Sequence, residues 1–151
     1  MAEPTLARIS DDDLDELTAF LGVADLTLSG LDEPSVRLWI VRDSDGAVVG
    51  STGYELCGAH ALVRSVAVHP TERGTGRGSA LARFALDAAA GEGARRAWLF
   101  SRRSGPFWEG LGFEPADRGE LATVLADTHQ VRLFATTGQL EREVAWSRPL
   151  P

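Results

Sequence analysis

Two rhythms of apolar residues run through this chain, one at helical spacing and one in short extended blocks, and their order predicts the architecture. Residues 5–9 read as a short first strand. Ser10 then caps a helix whose first turn is acidic and whose apolar positions Leu14, Leu17, Phe20 and Leu21 recur every three or four residues up to Gly22. The stretch 23–34 carries Gly30 and Pro34 but no period, and reads as a loop or short helix near a substrate entrance. Residues 36–41 and 47–56 are rich in branched and aromatic side chains and flank the turn signal Asp43-Ser44-Asp45-Gly46, which predicts a hairpin. The run 61–68 is apolar on both faces apart from Arg64 and Ser65, as a central strand covered on both sides requires, and His69-Pro70 ends it.

Beyond a glycine-rich stretch, Leu81, Phe84, Ala85 and Ala88 form an apolar stripe on a helix that stops near Gly91 and Gly93. Residues 97–100 make another buried strand, Pro106 opens a short helix through Leu111, and Gly112-Phe113 restarts extended structure. Strand, loop, helix and strand in that order are a βαβ unit. A further helix over 120–127 and a last strand over 143–146 complete the reading, with no internal repeat or low-complexity tract.

Composition narrows the function classes. A chain of 151 residues with 44% hydrophobic and 25% charged residues fits one globular domain, 1–151. A net charge of -7 argues against a protein whose main task is to wrap nucleic acid. Cys57 is the only cysteine, so no intramolecular disulfide forms and a cysteine-rich metal site is excluded; His60, His69 and His129 lack ligand spacing, and no metal is expected. No stretch approaches the length of a membrane span, and the N-terminus lacks the pattern of a secretory signal, which makes the cytoplasm the expected location.

The chemistry concentrates in Arg73-Gly74-Thr75-Gly76-Arg77-Gly78-Ser79, placed between a strand and a helix. Consecutive backbone N–H groups at a helix N-terminus bind phosphate oxygens, and glycines let the ligand approach the main chain. Gly74, Gly76, Gly78 and Ser79 are therefore expected to grip a phosphate, with charge added by Arg73 and Arg77. The stretch lacks the Gly-Lys-Ser/Thr of a Walker loop, and its G-x-G-x-G spacing departs from the dinucleotide fingerprint G-x-G-x-x-G.

Val66-Ala67-Val68-His69-Pro70, then Arg-x-x-Gly-x-Gly, then Phe107-Trp108-Glu109-Gly110-Leu111-Gly112-Phe113, resemble the GNAT acetyltransferase superfamily over roughly residues 36–115. The resemblance implies an α/β (α+β) fold with a mixed, mostly antiparallel sheet splayed between its fourth and fifth strands, helices on both faces and acetyl-CoA in the splay. It implies that the backbone of Val66 and Val68 bonds pantetheine and thioester carbonyl, that the glycine loop holds the pyrophosphate, and that Phe107 lies along the cofactor. Val66 thereby gains a catalytic role through its N–H. The family's usual acid, a tyrosine, is replaced at Trp108, and the position of its usual glutamate base reads Leu62.

Two charged residues carry open readings. Arg64, in the middle of a central strand, needs an anionic partner: a substrate carboxylate, or Glu55 in an internal salt bridge. Glu55, with Tyr54 and His60, is placed to pass a proton through water or to serve structure alone. The strand Leu62-Val63-Arg64-Ser65-Val66-Ala67-Val68 with Phe107-Trp108 also resembles the arsenic-resistance N-acetyltransferases and short acetylglutamate synthases, whose substrates carry an α-amine and a carboxylate. The expected activity is acetyl transfer from acetyl-CoA to the amine of a small amino-acid-like acceptor, in a ternary complex. The alternatives are a catalytically weak acyl-CoA sensor and a protein or peptide N-acetyltransferase. The expected partner is a small-molecule amine, with neither nucleic acid nor membrane, and late strands of such folds pair, so a homodimer is an open possibility.

Overall fold

The computed structural model describes residues 6–23, 30–31, 35–72 and 74–151. Thr5, Arg73 and most of the stretch 23–34 lie outside the described residues, so the expectations placed there are not taken further.

Seven strands form one sheet in the order β1-β2-β3-β4-β5-β7-β6. They are β1 (Leu6–Arg8), β2 (Val36–Arg42), β3 (Val48–Cys57), β4 (His60–Val68), β5 (Arg96–Phe100), β6 (Glu114–Ala116) and β7 (Ala145–Pro149). Every pairing is antiparallel except β4 with β5. The parallel pair needs a crossover, which α2 (Arg77–Gly91) supplies. The other helices are α1 (Leu14–Val23), α3 (Gly105–Glu109), α4 (Arg118–Val124) and α5 (His129–Thr137).

Strand alternation decides which helix lies where. Tyr54, Ala61, Val63, Ala97 and Leu99 face one side, where Ala82, Ala85, Leu86 and Ala89 of α2 pack with Trp108 of α3. Leu38 and Ile40 face the other side against Leu17 and Leu21 of α1, while Leu62 and Trp98 meet Leu121 of α4 and Val131 of α5 there. Helices thus cover both faces, as the mixed fold predicts. The small side chains Ala82, Ala85 and Ala89 let α2 sit close to the sheet, which fixes where its N-terminus ends up.

The hairpin turn forms where Asp43 predicts it. Its carboxylate accepts from the amides of Asp45 at 2.9 Å and Ala47 at 3.0 Å, and Gly46 takes the positive φ of 86°. Differences arise toward the C-terminus. The last strand begins at Ala145 and not at 143, because Glu143 is held by Gln139 and Arg102. Helix α4 ends at Val124, and α5 follows where no helix was expected. At the N-terminus α1 runs through Gly22 to Val23, preceded by a tight turn over Asp11–Asp13.

Tyr54, the one tyrosine, is buried on β3 and its hydroxyl donates to Glu92, which Arg37 also engages at 3.2 Å. Burial first, and the Glu92 carboxylate second, push its phenol above the ordinary value near 10. A raised folded-state value means that the native chain holds this proton more tightly than the unfolded chain. The stabilisation is complete below about pH 10 and is lost as pH rises toward the folded-state value. A spectrophotometric titration should show no phenolate in the native chain at about pH 10, where the urea-unfolded chain is half ionised. Coincident curves would refute the assignment.

Candidate active site

The site begins where two strands part. β4 and β5 pair only through His60↔Arg96, Ala61↔Ala97 and Leu62↔Trp98, so the remainder of β4 and the end of β5 diverge. The gap forms a cleft of about 150 Å³ lined by Val63 to Val66 of β4, Leu99 and Phe100 of β5, Ser101, Ser104, Phe107 and Trp108 from the loop and α3, and Gln130 of α5. This is the splay that the resemblance implies between the fourth and fifth strands.

On its other edge β4 carries a bulge. As β3 advances from Ser51 to Gly53, the partner on β4 moves from Ala67 to Arg64, so Ser65 and Val66 both stand opposite Thr52. Ser65 absorbs the extra residue with φ of 61°, the one positive φ outside glycine among the described residues, at a cost of about 1–2 kcal/mol. Two hydrogen bonds hold it: the Ser51 hydroxyl donates to the Ser65 carbonyl at 2.6 Å, and Arg64 Nε donates to Ser65 Oγ at 3.3 Å. A bulge takes main-chain groups out of the ladder, and this one lies at the cleft, beside Val66. Val66 and Val68 are both half-buried there.

The glycine loop leads into the 15 residues of α2. Gly74 and Gly76 take φ of 80° and 84°, conformations that side chains other than glycine resist, although a Cβ at either would meet nothing within 4 Å. Gly76 is the N-cap residue, and its carbonyl accepts from Ala80 at 3.1 Å. The amides of Gly78 and Ser79 precede that bond in the first turn, where a helix has no acceptor of its own to offer. Arg77 stands beside them, its Nε donating to Glu72 at 3.2 Å. Phe107 connects loop and cleft: its ring lies 3.8 Å from the position a Cβ would take on Gly78, and it lines the cleft. Open helix amides, a bulged main chain and an aromatic ring between them suit the diphosphate and pantetheine arm of coenzyme A.

Arg64 and Glu55 meet on the face of the sheet covered by α5. Both side chains are 0% exposed, with Arg64 Nη1 3.2 Å from Glu55 Oε2. Glu55 also accepts from the backbone N–H of His129 at 2.6 Å and of Gln130 at 3.1 Å, so it serves as the anion at the N-terminus of α5. Burial lowers the Arg64 pKa from its ordinary value, and the Glu55 charge opposes that shift. Of the two readings open for Arg64, the structure supplies the Glu55 partner. His60 is elsewhere, accepting from the indole N–H of Trp98 at 3.0 Å.

The two vacant positions are filled by core side chains. Leu62 is fully buried against Trp98 and α4, and Trp108 packs edge-on to Phe107 and Phe113 while bordering the cleft. Neither can carry a proton. Sequence reasoning missed Ser104 and Gln130, which line the cleft, and Ser51, which locks the bulge. Ser65 was visible only as a polar interruption of an apolar run.

The profile of the acetyltransferase (GNAT) family matches residues 6–113. No curated protein matches the chain. Among solved structures, N-acetylglutamate synthase from Neisseria gonorrhoeae, complexed with coenzyme A and N-acetyl-glutamate, superposes with a TM-score of 0.78 at 19% identity, covering 100% of this chain. The chain spans only 36% of that synthase. A GNAT-family acetyltransferase from Staphylococcus aureus Mu50 gives 0.75 at 13% identity, covering 99% of this chain and 100% of that one. Rv2747 from Mycobacterium tuberculosis, in complex with CoA and NLQ, gives 0.75 at 18% identity over 98% of this chain and 100% of that one. At these identities the likeness is one of fold. The family match, however, runs from β1 through both strands that border the cleft to the segment after α3, so the chain belongs to the acetyltransferase (GNAT) family.

Proposed function

We propose that the chain acetylates the amine of a small amino-acid-like acceptor held in the cleft between β4 and β5. The observation that carries this reading is the cleft itself: about 150 Å³, bounded by Ser65, Ser101, Ser104 and Gln130, with Arg64, the partner of Glu55, also in its lining. Its polar lining offers hydrogen bonds to orient a small acceptor beside the acyl group. Glu55 divides its negative charge between Arg64 and the N-terminus of α5. The helix end adds about half a positive charge, so the cluster as a whole is slightly positive and favours an acceptor with a carboxylate. The synthase from Neisseria gonorrhoeae, solved with N-acetyl-glutamate, lends support from a protein of the same fold.

In this reading Gly74, Gly76, Gly78, Ser79 and Arg77 hold the diphosphate, Val68 and Phe107 hold the pantetheine arm, and the Val66 N–H polarises the acyl carbonyl. Acetyl-CoA supplies an activated acyl group: the amine nitrogen forms the new C–N bond, the C–S bond breaks with its electron pair on sulfur, and the amine proton leaves through solvent. With Trp108 and Leu62 in the usual acid and base positions, the acceptor must arrive as a neutral amine. That costs about 4.6 kcal/mol at pH 7 for a lysine-like amine of pKa near 10.4 but about 1.4 kcal/mol for a peptide-like α-amine near 8. The site therefore favours α-amines. A thiol-release assay with acetyl-CoA against amino acids, arylamines, polyamines and short peptides tests this. Turnover is expected with a carboxylate-bearing α-amine, and preference for a polyamine would refute it.

A further inference from the structure

We propose that the Ser65 hydroxyl is a second hydrogen-bond donor to the acyl carbonyl oxygen, acting beside the Val66 amide; the inference rests on the acetyl-transfer reading of the cleft. Three observations converge on it. First, Ser65 occupies a left-handed conformation with φ of 61°, which glycine would take without strain, so the side chain brings something the backbone does not need. Second, the bulge suspends strand alternation, which lets the neighbouring side chains of Arg64 and Ser65 touch: Arg64 Nε donates to Ser65 Oγ at 3.3 Å. Third, Ser65 is 8% exposed and borders the cleft.

The hydrogen bonds fix the direction of donation. Ser65 Oγ accepts from a buried guanidinium and its carbonyl accepts from Ser51, while its own proton has no acceptor among the described residues. That O–H is available to the cleft, and accepting from a cation makes it a stronger donor. Ser65 Oγ and the Val66 nitrogen are only a few covalent bonds apart, so one small oxygen atom can accept from both. Ser65 lends a hydrogen bond and keeps its proton, so it adds charge stabilisation without proton transfer. With neither an acid at Trp108 nor a base at Leu62, a second donor carries more of the rate.

The test compares Ser65→Ala and Ser65→Gly in the full chain, with coenzyme A binding by calorimetry and steady-state acetyl transfer to the best acceptor. Both variants are expected to lose about 100-fold in kcat, with KM for acetyl-CoA and acceptor changed by less than about threefold. Ser65→Gly should melt about 2–4 °C above the parent, because it removes the strain. A residue that merely shaped the bulge would behave otherwise, since glycine suits the bulge and would keep activity. Parental kcat in Ser65→Gly overturns the proposal. A parent chain that binds no coenzyme A and transfers no acetyl group overturns the underlying reading and the role of Ser65 with it; a parent that turns over separates the two.

Discussion

Gly78→Asp is expected to raise the dissociation constant for coenzyme A by about 100-fold while leaving the melting temperature at or slightly above that of the parent chain. Space is not the obstacle. Gly78 is absent from the positive-φ glycines, and a Cβ there would meet Phe107 at 3.8 Å and Val68 at 3.9 Å, which is ordinary contact. A carboxylate in the first turn of α2 is moreover favoured by the helix dipole, by about 0.3–1 kcal/mol. The same carboxylate would stand where two phosphate charges are expected. A pair of like charges at 4 Å costs about 4 kcal/mol at an effective dielectric of 20, and about 2.7 kcal/mol after screening already amounts to 100-fold. Calorimetric titration and a thermal melt of the same preparation give the two numbers. Opposite signs for stability and affinity are the signature sought. Unchanged affinity would remove the loop from the phosphate site, and a collapse in stability would mean that Gly78 serves the fold.

The loop and the central strand were legible in the sequence because each is set locally. Gly74 and Gly76 are needed for their φ, and the largely apolar run of β4 reflects helices on both faces. The hairpin turn is likewise fixed by Asp43 and Gly46. What was hidden depends on distant partners. Helix α5 has a polar exposed face, and its start is specified by the Thr128 cap together with Glu55, 74 residues away in sequence from His129. The bulge at Ser65 is a property of strand pairing, and a lone serine in an apolar run does not announce it. Arg64 and Glu55 lie diagonally across the β3–β4 pair, and their shared burial depends on α5 covering that face, so the sequence left their pairing open between each other and a ligand. Gln130 could enter the cleft only once α5 was known to exist.

Glu55→Ala should be the most destabilising substitution in the chain's polar core, lowering stability by about 3–5 kcal/mol. The carboxylate is 0% exposed and accepts three hydrogen bonds, from Arg64 Nη1 and from the amides of His129 and Gln130. Its loss takes the carboxylate away from a buried guanidinium and opens the first turn of α5. At about 2–4 °C per kcal/mol for a chain of this size, the melting temperature should fall by about 10 °C, read together with the urea midpoint. Glu55→Gln should fall between, since an amide keeps an acceptor for α5 but not the charge for Arg64. Adding Arg64→Met to Glu55→Ala should restore part of the loss, because the buried positive charge is then removed together with its carboxylate, and the double-mutant cycle isolates the coupling. The pair also connects fold to chemistry. Arg64 supports Ser65 Oγ and Glu55 fixes the start of α5, where Gln130 borders the cleft, so the double variant should bind coenzyme A as the parent does yet show a raised KM for the acceptor. Parental stability in Glu55→Ala would show that water or another group can hold Arg64, and the acceptor side of the cleft would then need a different anchor.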